Sequence, residues 1–289
     1  MLCCTGDTVT VHSRAYESDA QEDVAPISAI VVGLNEGHLL RECLASASFC
    51  DQKLYVDLGS RDSSLAIAQE LGWETKSHDR VPIGEFIVSE LKFSMKNPWI
   101  LFLDPDERIS PALGSSVLKL FRKNLPSSIG ALSAPWFFHF KGKRLYGTPW
   151  GGVRSRPFVA HRERFSLTTE VHRGRELLEG FETYHFGIDD SAEFINHFWS
   201  ASWRDLISKH RRYLGLEGES QFSAGRHTTL RRLLLSLPRL ALQVVKHKEP
   251  FSDGVRGVGL SLFWIVYKFL AEWELFRYQK RRTKSVRPG

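Results

Sequence analysis

The chain has 289 residues, 42% of them hydrophobic and 25% charged, which excludes a disordered, collagenous or disulfide-stapled class and suits one large α/β domain with an appendage or two small domains. The formal net charge of +6 is uneven: residues 226–289 carry 14 Lys/Arg against 4 Asp/Glu, so the remainder is slightly acidic. A basic tail of that kind suits a phosphate-rich surface, either an anionic membrane or nucleic acid.

Residues 1–24 have no sustained apolar run and carry several acids; they read as a disordered lead-in with no signal peptide. Ile27–Gly33 is a buried strand that ends at Leu34-Asn35-Glu36-Gly37, followed by a helix with Leu39, Leu40, Cys43 and Leu44 at helical spacing. Cys43 and Cys50 read as core packing; with Cys3 and Cys4 they form no Cys-x-x-Cys pair, so no zinc ribbon or thioredoxin-like site is indicated and the compartment reads as reducing and cytoplasmic. Lys53–Val56 is a second strand, closed by Asp57-Leu-Gly-Ser-Arg-Asp62, with Asp62 or Ser63 as the cap of a helix over Ser64–Leu71. Trp73–Ser77 is a third strand, Glu85–Lys96 a helix, and Trp99–Leu103 a strand apolar enough to be buried on both faces. This alternation over residues 27–108 predicts right-handed βαβ units and a parallel sheet.

A helix follows at Ala112–Lys123, then mixed strands at Ala131–Phe140 and Arg156–His161, an irregular stretch through Gly187, and helical sequence from Trp199. Leu230–Val245 and Val258–Phe276 are apolar but interrupted by charges, including Arg231, Arg239, Lys268 and Glu272. Both are expected to fall short of a membrane span, which needs about 20 largely uncharged residues. They read as amphipathic helices lying on a membrane or, equally, as helices packed on the sheet domain.

The densest chemistry follows the fourth strand. Asp104-Pro105-Asp106-Glu107 puts three carboxylates where open α/β sheets place their ligands. Taken alone, such a run is most often a solvated acidic turn; alternatively, a divalent cation such as Mg²⁺ or Mn²⁺ relieves the repulsion and holds a diphosphate. Asn35-Glu36 and Asp57 end the first two strands on the same sheet edge. No Gly-x-Gly-x-x-Gly or Gly-x-x-x-x-Gly-Lys-Ser/Thr accompanies them, which excludes a dinucleotide fingerprint and a P-loop and leaves the phosphates to a metal.

With those residues in view, "ISAIVVGLNEGHLLRECLAS", "VDLGSRDSSLAIAQELG" and "WILFLDPDERISPAL" resemble the signature blocks of inverting family 2 glycosyltransferases with the GT-A fold. More narrowly, the chain is similar to bacterial lipopolysaccharide-core β-glucosyltransferases, through "TEVHRG", "HFWSASWRDLISKHRRYLGLEGE" and "FSDGVRGVGLSLFWIVYKFLAEWEL", over about residues 27–278. The resemblance implies a GT-A (nucleotide-diphospho-sugar transferase, Rossmann-like) mostly parallel α/β sheet with helices on both faces. It implies a catalytic domain over 25–198 (donor half 25–110, acceptor half 111–198) and a helical, basic, membrane-associating region over 199–289. It assigns Asn35, Glu36, Asp57, Asp62 and Asp104 to the donor nucleotide, with a structural role as the alternative for Asp62, and Asp104 with Asp106 to the metal. The chain departs from the family pattern at Gly37, Arg61 and Pro105, and at Ile87-Val88-Ser89, a stretch in which the resemblance implies a lysine; Lys92 would have to replace it, or the contact is missing.

The expected reaction is transfer of a hexose, glucose in this reading, from a UDP-sugar to a lipopolysaccharide-core or other lipid-linked acceptor at the inner face of the cytoplasmic membrane. Within Thr169–Arg173, strand alternation puts Glu170 and His172 on one face; Glu170 is read as the general base and His172 as a leaving-group or metal contact, an order that can be reversed. Asp189 and Asp190 are outlying candidates in a turn, His197 reads as a packed histidine, and Lys209, Arg211 and Arg212 as a solvated helix face or a contact to a phosphorylated acceptor. The competing readings are a polyprenyl-phosphate sugar transferase, a catalytically degenerate GT-A binding module and, least supported, a nucleic-acid binder.

Overall fold

The computed structural model describes residues 24–81, 84–147, 154–166, 176–187, 192–246 and 252–285. The first half is built as the alternation predicts: β1 (Ala25–Gly33), α1 (Gly37–Ser46), β2 (Cys50–Asp57), α2 (Ser64–Glu70), β3 (Glu74–Ser77), α3 (Glu85–Leu91) and β4 (Trp99–Leu103). Then come β5 (Glu107–Ile109), α4 (Pro111–Arg122), β6 (Ile129–Phe140), β7 (Lys143–Arg144), β8 (Arg154–His161), β9 (Phe165–Ser166), β10 (Glu176–Leu177), β11 (Glu182–His185) and β12 (Ile195–Ser200). Among the described residues the helices α5 (Trp203–Ser223), α6 (Leu230–Leu234), α7 (Ser236–Lys246) and α8 (Gly254–Ser285) follow.

The main sheet runs β3-β2-β1-β4-β8-β6-β12-β5, with β7 and β11 also on β6. β1 pairs in parallel with both β2 and β4, whereas β8 is antiparallel to β4 and to β6, and β5 to β12. β4, β6 and β12 therefore all end on one edge, the edge where β1 and β2 also end. The sheet is covered on both faces because its strands alternate between two cores. Ile27, Ala29 and Val31 of β1 pack with Leu40, Leu44, Ile67 and Leu113 of the helices on one side, and Ile30 packs with Ile87, Val88 and Leu91 of α3 on the other. All five residues of β4 are buried, as expected of a strand between two layers.

Cys43 and Cys50 are buried free thiols, as expected from their spacing. At α2, Ser63 holds the capping position without a side-chain hydrogen bond, and Asp62 does the capping instead: its Oδ1 accepts from Ser64 N at 3.0 Å. Trp199, expected to open a helix, lies in β12. Its run Ile195, His197, Trp199 faces inward, and α5 starts only at Trp203, capped by Ser202, whose Oγ accepts from Asp205 N at 3.1 Å.

Helix α5 belongs to the same core as the sheet: Leu206 of α5 and Leu260 of α8 pack into the cluster around β1, β6 and β12. The two helices approach closely at Gly218, where a Cβ would stand 2.7 Å from the Glu274 carbonyl oxygen. Above that contact Tyr267 donates to the buried Glu217 Oε1 at 2.8 Å. Contrary to the expectation that both C-terminal stretches fall short, α8 is long and apolar enough over Gly254–Arg282 to cross a membrane by length and composition, with a mean hydropathy of 1.3. Its residues Leu260, Tyr267, Ala271 and Leu275, however, are buried within the protein.

Candidate functional site

Two loops at the ends of β1 and β2 are stitched together by backbone donors. Asn35 adopts a left-handed conformation with φ of 57°. That lets its N–H donate to Ser60 Oγ at 2.9 Å while its own Oδ1 accepts from Arg61 N at 2.7 Å. Glu36 N donates to Ser64 Oγ at 3.1 Å and Gly37 N to Asp62 Oδ2 at 2.9 Å. Asp57 is buried, its Oδ2 accepting from Gly59 N and Ser60 N at 3.1 and 3.0 Å. Asn35 and Asp62 therefore spend their side chains on shaping the loops, and the Glu36 side chain is left to face the charged centre.

The same stitching accounts for Gly37. A Cβ there would stand 2.7 Å from Ser63 Oγ, 3.1 Å from Asp62 Oδ2 and 3.3 Å from Ser64 N, so a larger side chain has no room. Gly37→Asp is expected to lower stability by about 1–3 kcal/mol through this overpacking, read as a fall in urea midpoint at unchanged slope.

The carboxylates after β4 separate by environment. Asp104 is exposed, Pro105 is buried against Gly33, and Asp106 turns inward with only 15% of its side chain exposed. Glu107 opens β5, is fully buried, and accepts from Asp104 N through Oε2 at 3.1 Å, which fixes the loop. β12 closes over it: Phe198 N donates to the Asp106 carbonyl at 2.7 Å, and His197 sits opposite Glu107 in the antiparallel register.

His197 Nε2 lies 3.3 Å from Asp106 Oδ2, and Lys209 Nζ, reaching down from α5, lies 3.4 Å from the same oxygen. Burial alone would raise the Asp106 pKa; the His197 and Lys209 cations overcome it and hold the carboxyl well below the ordinary carboxylate range. Reciprocally, burial opposes protonation of His197 and Lys209, but Asp106 outweighs it and raises both. His197 Nδ1 is buried without a hydrogen bond, with Glu107 Oε1 3.8 Å away.

Glu36 shows the opposite balance. Burial, followed by repulsion from Asp106 and Asp104, lifts its carboxyl to about 7 despite Lys209 and Arg212. Its folded pKa thus exceeds the ordinary 4.5, so ionising it costs folding energy that accumulates as pH rises from about 4.5 to about 7 and persists above. Glu36→Gln removes that cost. We expect the variant to gain about 1–2 kcal/mol on wild type between pH 5 and pH 8, solvent screening of a half-buried group limiting the effect; parallel melting profiles over this range contradict it.

Ligand atoms of Asp106, Glu107 and His197 lie within 4.8 Å of one another, a mixed oxygen and nitrogen set that suits Mn²⁺ or another first-row cation. Of the expected site residues, the structure brings Glu36, Asp104 and Asp106 into one charged cluster and sets Asn35, Asp57 and Asp62 behind it in the loops. Lys92 does not reach it: its ammonium points to the Phe165 carbonyl at 3.4 Å. Glu170, His172, Asp189 and Asp190 lie outside the described residues. His197 and Lys209 are the two site residues that sequence reasoning set aside as packed and solvated. Their signal was present: a histidine in the inward row of β12, and a lysine on the α5 face shared by Leu206, His210, Tyr213 and Glu217.

On the same sheet edge, beyond the end of β6, Lys143, Arg144, Tyr146 and Arg256 line an open pocket of about 400 Å³. Asp253, at the start of α8, closes it by accepting from Tyr146 N and Gly147 N.

The sheet presents an Asp-x-Asp and its neighbouring cations at the edge where β1 ends, the layout that the resemblance read from the sequence implies. No family model matches the chain. Over 279 residues it is 24% identical to the lipopolysaccharide core biosynthesis glycosyltransferase LpsC of Rhizobium meliloti (strain 1021), covering 91% of this chain and 96% of the relative. Among solved structures it is similar to glucosyl-3-phosphoglycerate synthase of Mycobacterium tuberculosis in complex with Mn²⁺, UDP and glucosyl-3-phosphoglycerate, at 15% identity and a TM-score of 0.41, over 69% of this chain and 79% of that one. It is also similar to S. aureus TarS, at 18% identity and a TM-score of 0.32, over 43% and 23%. The likeness to that transferase runs along nearly the whole chain, as the resemblance read from the sequence implies.

Proposed function

We propose that this is an inverting, metal-dependent hexosyltransferase that moves a hexose, glucose in our reading, from a UDP-sugar to a lipopolysaccharide-core or other lipid-linked acceptor. The observation that carries the reading is the buried Asp106 carboxylate, kept ionised at the sheet edge beside His197, Glu107 and the exposed Asp104. The full-length likeness to a lipopolysaccharide-core transferase supports the acceptor class.

In this reading Asp106 and Asp104, with His197 at hand, hold a Mg²⁺ or Mn²⁺ ion, which supplies charge compensation for the departing nucleoside diphosphate. Asp57 and Glu36 bind the nucleoside. Asn35 and Asp62 act by holding the two loops in register. Glu170 or His172 takes the acceptor hydroxyl proton, and the cationic pocket of Lys143, Arg144 and Arg256 receives an anionic group of the acceptor.

The enzyme works at the cytoplasmic face of the membrane, where α6 to α8 lie on the bilayer without crossing it. Leu230, Leu234, Leu235, Leu242 and Val245 are more than half exposed and alternate with Arg231 and Arg232, the pattern of an interfacial surface on anionic lipid.

The test is transfer of radiolabel from UDP-glucose, with UDP-galactose and UDP-N-acetylglucosamine as comparisons, to membranes of a strain lacking this chain. The reading expects metal-dependent label in lipopolysaccharide and at least a tenfold preference for one donor. Label confined to an acid-labile polyprenyl phosphate favours that second acceptor class, and no transfer by a folded protein with any of the three donors contradicts the proposal.

A further inference from the structure

We infer that Lys209 is the diphosphate-binding lysine of this site, and that in the free enzyme its ammonium keeps the metal's place on Asp106. The inference rests on the donor reading above and adds a residue to it.

The placement is unusual for a lysine. Its Nζ lies 3.4 Å from Asp106 Oδ2, with 29% of the side chain exposed against 15% for Asp106, on the helix that joins the sheet domain to α8. The face of α5 that carries it is fixed: Leu206 and His210 are buried to either side, and His210 Nδ1 is 2.8 Å from the Leu206 carbonyl and its ring packs edge-on against Trp199 and Phe263. The backbone is thus held, while the four-carbon stem leaves the ammonium free to pivot.

The charge balance gives the pivot a direction. Glu36, Asp104, Asp106 and Glu107 converge here against His197, Lys209 and Arg212. A divalent cation arriving on Asp106 repels an ammonium at contact distance. The diphosphate that comes with the cation is the new anion within reach of the same stem. α3 offers no competing cation, since Ile87 and Val88 are buried in the core and Lys92 is held on the Phe165 carbonyl. Lys209 and the metal therefore compete for Asp106 in the free enzyme and act together once the donor is bound.

The test uses the full chain and two variants, with Mn²⁺ binding read by electron paramagnetic resonance and UDP binding by calorimetry. Lys209→Met is expected to bind Mn²⁺ alone about tenfold tighter, because a competing charge is gone. It is expected to bind UDP at saturating Mn²⁺ about 30-fold or more weakly. Lys209→Arg restores UDP binding to within a few-fold, which a brace between α5 and the sheet would not require. A Lys209→Met protein that melts like wild type and changes neither affinity overturns the inference, as does one that weakens Mn²⁺ and UDP in proportion while losing stability. Failure of the donor reading looks different: wild type then takes up no UDP at any Mn²⁺ concentration.

Discussion

Asp106→Asn lowers sugar transfer by about 10³-fold or more, the scale seen when a preorganised charge at a reacting centre is removed. The substitution keeps the shape and removes the charge that a metal needs and that His197 and Lys209 now share at 3.3 and 3.4 Å. It also leaves the buried His197 and the partly buried Lys209 facing a neutral amide, so a loss of about 1–3 kcal/mol in stability accompanies the loss of activity, part of it offset by the neighbouring Glu107 and Asp104. Steady-state transfer and urea unfolding of the same preparation separate the two effects. A variant that retains more than a tenth of wild-type turnover contradicts the assignment of Asp106.

Gly218→Val should give the largest purely structural effect, about 2–4 kcal/mol. A Cβ at that position already falls 2.7 Å from the Glu274 carbonyl oxygen and 3.0 Å from its carbon, both main-chain atoms of α8 that cannot rotate away. The helices must separate, and with them goes the buried Tyr267–Glu217 hydrogen bond of 2.8 Å. Because α5 carries Lys209, activity is expected to fall together with stability, whereas Gly215→Val, where a Cβ meets nothing within 4 Å, serves as the control. Equal melting temperatures for the two variants contradict the close-packed helix pair.

The donor half of the fold was legible because each element there carries its own signal. β4 is an uninterrupted apolar run, the loops after β1 and β2 end in polar residues, and α2 stops at Gly72, whose φ is 71°. Legibility declined where long-range pairing decides the structure. β5 is only three residues long and exists because β12, some ninety positions later, pairs with it. Trp199 looks helical beside Trp203 and Leu206, yet β6 draws it into the sheet.

The site divides in the same way. Asp104 and Asp106 announce themselves by clustering, whereas His197 and Lys209 acquire their role only when β12 and α5 fold back over them. Gly37 and Asp62 illustrate a further kind of hidden information. In the sequence Gly37 looks like a departure from the family pattern and Asp62 like a possible ligand, and the structure joins them in one hydrogen bond of 2.9 Å that fixes both loops.

The central claim, that the charged edge beside β1 is a metal-assisted nucleoside-diphosphate site, is tested most directly by titrating UDP into the wild-type chain with and without Mn²⁺. The structure predicts saturable binding that tightens at least tenfold when Mn²⁺ is present. Folded protein that binds no UDP under either condition contradicts it.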